Sequence, residues 1–180
     1  LVDPSATIQW MCLPRLDGEP VFNELLGGGG RFAVELADQV SATQTYIRNT
    51  AVLETVLTDV DGSAIKITDF APRFVDRGRV FRPTSIIRRI TPLKGMPRIT
   101  VYLRAETGHG ERAIIRRRGV SHIRFPNEDY DFRVTTDAPV SYIMDEREFV
   151  LDREVNFILG PDESLSDSAD AITTDWLQRT

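Results

Sequence analysis

The chain has 180 residues, 41% hydrophobic and 27% charged, with a net charge of −5. That length and balance fit one soluble globular domain with a substantial core. The charge argues against a general nucleic-acid or anionic-membrane binder, and no apolar run reaches membrane-spanning length.

Asp3-Pro4-Ser5 is a turn signal. From Thr7 to Leu13 the residues alternate: Ile8, Trp10 and Cys12 on one face, Gln9, Met11 and Leu13 on the other, which predicts a strand. Pro14 removes a backbone donor, so the strand ends there or lies at a sheet edge. A charged corner follows, Arg15 to Asp17, then Gly18-Glu19-Pro20. Phe22, Leu25 and Leu26 have helical spacing, so a short helix is expected before Gly27 to Gly30 stop it. Phe32, Val34 and Leu36 alternate with Arg31, Ala33 and Glu35 as a half-buried strand. Tyr46 to Asn49 reads as extended, and Ala51 to Thr58, apolar on both faces, as a central strand. Asp59-Val60-Asp61-Gly62 is a hairpin turn, with Gly62 supplying the left-handed backbone. Ile65 to Phe70 is the returning strand.

Pro72 to Pro83, rich in Arg and Asp, reads as a loop. Strands are expected at Ser85–Thr91, Arg98–Ala105, Ala113–Arg118, Ser121–Phe125, Tyr130–Thr135, Val140–Met144, Glu148–Leu151 and Val155–Leu159. Many short strands with regular turn signals indicate an all-β fold, here a large antiparallel two-sheet sandwich. After Gly160-Pro161, Leu165, Ala169, Ile172 and Trp176 recur every three or four residues, a helical pattern with Ser168 as its N-cap.

The order Ile8, Trp10, Cys12-Leu13-Pro14-Arg15, Asp17, Pro20-Val21-Phe22, Leu25-Leu26, Gly29-Gly30-Arg31-Phe32 resembles the opening of the amino-terminal domain of trehalase-like and glucoamylase-like enzymes, the family 15 glycoside hydrolases. Asn49 to Thr55 and Ile67-Thr68-Asp69-Phe70-Ala71-Pro72 resemble two further runs of that family. Gln9, Leu16 and Gly18-Glu19 depart from it, standing where the family usually has Asp, Phe and Ser. The resemblance implies a super-β-sandwich, residues 1–160, followed by the start of a linker helix, residues 161–180. That helix would lead to an (α/α) barrel catalytic domain absent from this chain. The chain begins at Leu1 without a methionine and ends inside the helical pattern, and so reads as a piece of something longer. By resemblance the parent hydrolyses α-glucosidic bonds of trehalose or α-glucans with inversion, without a cofactor, using two glutamates on loops of the barrel.

Within the chain itself, no chemistry is expected. Gly27 to Gly30 lack the Lys-Ser/Thr of a nucleotide loop, and a strand follows them. Asp59 to Ser63 begins like a calcium loop, but Phe70 falls where the bidentate acid belongs. His109, His122 and Cys12 lack metal-ligand spacing; His109 sits in a glycine turn, and His122 alternates with Ser121 and Ile123 on a strand, facing solvent. The arginine run Arg112, Arg116, Arg117 and Arg118 reads as a solvated or edge-protecting face, with an interface to acidic groups as the alternative. The acidic pairs Glu128 with Asp129, Asp145 with Glu146, and Asp162 with Glu163 are adjacent turn residues. Inverting hydrolysis needs two carboxyls about 6.5–9.5 Å apart. The single cysteine, Cys12, cannot form an internal disulfide; with no signal peptide in view, the expected location is cytoplasmic.

The candidate site residues are Trp10, Arg15, Asp17, Phe22 and Trp176, expected near the substrate or at the interface with the barrel. An aromatic face suits a sugar's C–H surface, and a guanidinium fork suits hydroxyls or a carboxylate. Trp10 also reads as an ordinary core residue beside an Arg15–Asp17 corner pair. The expected partners are the barrel and, for the whole enzyme, an α-glucoside; a homo-oligomer stays open. Ala169 to Thr180 are expected to pack poorly, or against a neighbouring molecule, without the barrel. An independent carbohydrate-binding module, with exposed aromatics such as Tyr102, Tyr130, Tyr142 and Trp176, and an oligomerisation module are the alternatives.

Overall fold

The structure, a computed structural model, describes residues 1–128 and 130–180. Strands make up 45% of it and helix 12%, far below the helical share of about a third in an average globular protein. The all-β expectation therefore holds.

The opening segment is less regular than its alternation suggests. Only β1 (Met11–Cys12) forms a ladder, with β2 (Pro20–Phe22), while Ile8 makes isolated bridges to Val2 and Phe32. The helix expected after Pro20 shrinks to one 3-10 turn, Glu24–Leu26, because Val21 and Phe22 are drawn into β2 and buried. Next come β3 (Arg31–Leu36) and β4 (Gln39–Tyr46), the latter an exposed edge strand that polar residues concealed from the pattern. Then β5 (Leu53–Asp59) and β6 (Ala64–Phe70) pair through the expected turn, where Asp59 Oδ1 accepts from the Ser63 amide at 2.8 Å.

Pro72 to Pro83 is not a plain loop. It folds into a hairpin, β7 (Phe74–Asp76) and β8 (Arg79–Phe81), about a two-residue turn in which Arg77 and Gly78 both have positive φ, 47° and 77°. That is the mirror-image turn that two-residue hairpins need. The chain continues with β9 (Ile86–Lys94), β10 (Arg98–Arg104), β11 (Glu106–Thr107), β12 (Arg112–Ala113), β13 (Arg117–Arg118), β14 (His122–Phe125) and β15 (Phe132–Thr136). Ala113–Arg118, expected as one strand, is thus only two short pairings at its ends. Val140–Met144, expected as a strand, is instead a short helix, α1. Its buried residues, Val140 and Ile143, are three apart, a helical spacing that the β-branched composition outweighed in the sequence reading. Last come β16 (Phe149–Val150), β17 (Val155–Pro161) and α2 (Ala169–Arg179).

The large sheet has eight antiparallel strands in the order β13-β14-β15-β17-β9-β6-β5-β4. A smaller sheet, β16-β10-β3, lies against it. Phe32, Val34, Val101 and Leu103 from the small sheet meet Ile65, Ile67, Ile90, Phe132 and Phe157 from the large one in one core. Phe32 and Phe157 touch edge to face, centroids 5.5 Å apart. The opposite face of the large sheet is also apolar: Val52, Phe70, Ile87 and Ile158 form a second core, which Ala169 and Ile172 of α2 cover.

Ser168 caps α2, its hydroxyl accepting from the Ala171 amide at 3.2 Å. The poor packing expected for Ala169 to Thr180 is not found. Ala169, Ile172 and Thr173 are buried on the sheet, and Trp176 packs on Phe81 with centroids 5.2 Å apart. The outer face of strands β6, β9 and β17 presents Phe70, Ile87 and Ile158, and this apolar surface is buried under the helix.

Candidate functional site

Arg88 is the largest fully buried side chain among the described residues, lying between the two sheets. Its Nε and Nη2 donate to the two carboxylate oxygens of Asp69 at 2.7 and 2.9 Å. Nη2 also donates to the carbonyl of Ala6 at 2.6 Å, and Nη1 to that of Phe32 at 2.8 Å. The guanidinium lies 4.5 Å from the Phe32 ring centroid. A buried guanidinium is tolerated only when paired and hydrogen-bonded in this way. The result is a fixed anchor: Arg88 ties the backbone before the charged corner, at Ala6, to the small sheet at Phe32 and to the large sheet through Asp69. The sequence reading missed it. The signal was an arginine among isoleucines in Ile86-Ile87-Arg88-Arg89-Ile90, following a strand that carries Asp69.

From this anchor the chain runs to Trp10 and the corner. An open groove of about 530 Å³ lies there, with Trp10, Met11, Leu13, Pro14 and Leu16 on one side and Pro83, Thr84 and Ser85 on the other. It continues into a recess of about 180 Å³ bounded by Ile8, Trp10, Tyr46, Leu53, Phe70 and Ile86. Trp10 lines both spaces and is half-buried, so it is not the enclosed core residue that alternation allowed. Leu16 stands almost wholly in solvent, 96% exposed.

Residues 1–125 match a family model described as trehalase-like, N-terminal. The chain belongs to this trehalase-like N-terminal family. No curated protein and no solved structure matches it. The matched stretch contains the corner, Asp69 and Arg88, but it stops at the end of β14. In this trehalase-like domain the sheet does not stop there: β15 and β17 lie between β14 and β9 and complete the ladder.

The structure separates the five site residues that the sequence singled out. Arg15 and Asp17 bond each other in a two-pronged pair, 2.8 and 2.7 Å, and both remain largely exposed. Phe22 is fully buried against Phe32 and offers nothing to a partner; it belongs to the core because β2 turns it inward. Trp176 lies on the helix side, where a recess of about 210 Å³ is bounded by Phe81, Pro83, Ser85 and Trp176 itself. Pro83 and Ser85 border this recess and the Trp10 groove alike. Trp10 and Trp176 thus each line a space bordered by the same short segment.

Two of the acids expected to be structural, Glu146 and Asp162, are engaged by arginines. Glu146 is bound by Arg104 and lies 3.6 Å from Arg116. The Arg104 hydrogen bond holds its carboxyl below the usual range. Asp162 is bound by Arg124 and Arg133. Burial pushes its carboxyl up, but those hydrogen bonds prevail and hold it low. A carboxyl kept ionised in this way is unsuited to donating a proton. Asp129 lies outside the described residues, and its neighbour Glu128 is exposed. His109 has a left-handed backbone and sits 3.5 Å from Glu19. His122 is partly covered rather than solvent-facing, and burial, then Arg133, lowers its pKa. Among the described residues no group of three or more His, Cys, Asp or Glu is placed to hold a metal ion. Cys12 is buried, and no described helix is long and apolar enough to cross a membrane.

Proposed function

We propose that this chain is the non-catalytic amino-terminal scaffold of a family 15-type glycoside hydrolase. The observation that carries the reading is its membership of the trehalase-like N-terminal family over residues 1–125. The parent hydrolyses α-glucosidic bonds of trehalose or α-glucans with inversion, in the cytoplasm, and supplies both catalytic carboxyls from a barrel that follows residue 180. Helix α2 is then the bridge to that barrel. The engagement of Glu146 and Asp162 by arginines supports a scaffolding rather than a catalytic role. The scaffold's task is rigid placement, and the Arg88 anchor suits it: one side chain ties together the corner segment and both sheets.

The test compares this chain with the same chain extended through the sequence after Thr180. Glucose release from trehalose, maltose and maltotriose should be at background for the first and clear for the second. An extended protein that cleaves none of them sinks the reading. A second reading, a carbohydrate-binding module, is favoured by Trp10 and Tyr46 sharing one apolar recess. Maltotriose quenching the tryptophan fluorescence of the chain alone, and a Trp10→Ala variant abolishing that, would replace the first reading by the second.

A further inference from the structure

The β7–β8 hairpin is the part of the fold whose surface the scaffold leaves unexplained. Its inner face is well held. Phe74 stacks on Phe81 at 4.8 Å, Phe81 packs on Trp176, and Arg179 sits 4.1 Å over the Phe74 ring while bonding Asp76 at 2.6 Å. Its outer face is bare. Val75 and Val80, directly paired in register, are 67% and 58% exposed. By alternation Arg73 and Arg82 share the face of Val75 and Val80, while Arg77 and Arg79 stand at the turn; all four are exposed and, among the described residues, without an ion pair. Residues 73–82 thus carry four arginines against one aspartate, in a chain whose net charge is −5.

An exposed apolar pair ringed by arginines has the anatomy of a protein interface, where Arg is enriched and a polar rim surrounds an apolar centre. The acidic balance of the whole chain opposes a polyanion such as nucleic acid, which is drawn by long-range charge. The hairpin also lies against the end of α2: Asp76 holds Arg179, and the Arg73 amide donates to the Thr180 hydroxyl at 3.4 Å. Whatever follows Thr180 in the chain emerges beside this hairpin.

We propose that the outer face of the β7–β8 hairpin docks onto the catalytic domain of the same chain, against an apolar spot bordered by carboxylates. This rests on the scaffold reading above and names the surface by which the scaffold is held. Hydrogen exchange at residues 74–81 tests it, in the chain as given and in the chain extended past Thr180. The expected result is about tenfold slower exchange in the extended protein. Arg73→Glu with Arg82→Glu should remove that gain, Arg73→Lys with Arg82→Lys should keep it, and Val75→Ser with Val80→Ser should weaken it. None of these touches Phe74, Phe81 or Trp176, so the hairpin itself is preserved. Equal exchange in both chains overturns the proposal, as does a natural chain that ends at Thr180. It is overturned too if protection appears in the given chain only at high concentration, marking a second copy, or on adding a short DNA duplex. An extended protein that protects the hairpin yet releases no glucose leaves this docking standing and removes the hydrolase reading instead.

Discussion

Arg88 and Asp69 sit directly opposite each other on neighbouring central strands and share two hydrogen bonds, 2.7 and 2.9 Å, inside the sandwich. Breaking such a pair from one side leaves the other charge buried and unpaired, at a cost of about 3–5 kcal/mol. Asp69→Ala should therefore strongly destabilise the chain in urea unfolding. Arg88→Met should do so as well, because it strands Asp69 and frees the Ala6 and Phe32 carbonyls. The double variant Asp69→Leu with Arg88→Met should lose clearly less than the two single losses added. Strict additivity would show that the pair is not one unit.

Arg89, the next residue, points to the other face of the sheet and fastens α2. It donates to Asn156 at 2.8 Å and to Thr174 at 2.7 Å, and meets Asp170 at 3.2 Å. Arg89→Ala should speed hydrogen exchange in residues 169–179 far more than in β5 or β6. Trp176 keeps part of its surface in solvent. Trp176→Ala should therefore cost about 2 kcal/mol, below the roughly 3–5 kcal/mol of a fully buried aromatic. Uniform loosening of sheet and helix would mean that α2 is integral to the first core rather than fastened onto it.

Glu146 and Asp162 give the fold an acid limit. Both carboxyls are held low by arginines in the folded state. A lowered folded pKa means that the unfolded chain binds protons first as pH falls, so stability is present above the ordinary carboxyl range and lost below it. Thermal midpoints should hold at neutral pH and drop once pH falls below about 4. Glu146→Gln should flatten that drop. His122, lowered chiefly by burial, adds a gentler decline that begins as pH falls through its ordinary value of about 6.5. A midpoint insensitive to pH from neutrality to strong acid would remove these pairs from the stability of the fold.

Arg15 and Asp17 form a surface pair, and such pairs contribute roughly 0–1 kcal/mol. Arg15→Ala should leave the unfolding of this chain nearly unchanged. If the corner faces a following domain, the same substitution in the extended protein should speed exchange at residues 10–17. A large loss of stability in the chain alone would show that the corner is structural.

How much was legible in the sequence follows from how far each signal reaches along the chain. Period-two alternation in β3, β10, β14 and β15, and short apolar runs bounded by turn residues at β5, β6 and β17, are local properties, so the all-β class and most of the strands could be read before any contact was known. The Ser168 cap and the spacing of Ile172 and Trp176 marked α2 for the same reason. The ordered motifs around Trp10, Leu53 and Asp69 pointed to the family without any coordinates. The hairpin at Phe74–Phe81 was legible too, in Arg77-Gly78 between two short apolar runs, but its arginines read as loop.

Tertiary structure alone decided the rest. Asp69 and Arg88 are 19 residues apart, and nothing local says that their strands are neighbours or that a guanidinium can be buried there. The faces of Trp10 and Phe22 could not be assigned from alternation, because β1 and β2 are too short for a period to set them; packing against Phe32 turned Phe22 inward and left Trp10 on the groove. Val140–Met144 became a helix because a single turn could bury Val140 and Ile143 together. The cover on α2 was likewise invisible, since the apolar outer face it needs is assembled from Val52, Phe70, Ile87 and Ile158, four strand or strand-edge residues that meet only when the sheet is formed. Local periodicity states which elements form; which residues they bring together is set by long-range pairing, and that is where the anchor, the groove and the hairpin face were made.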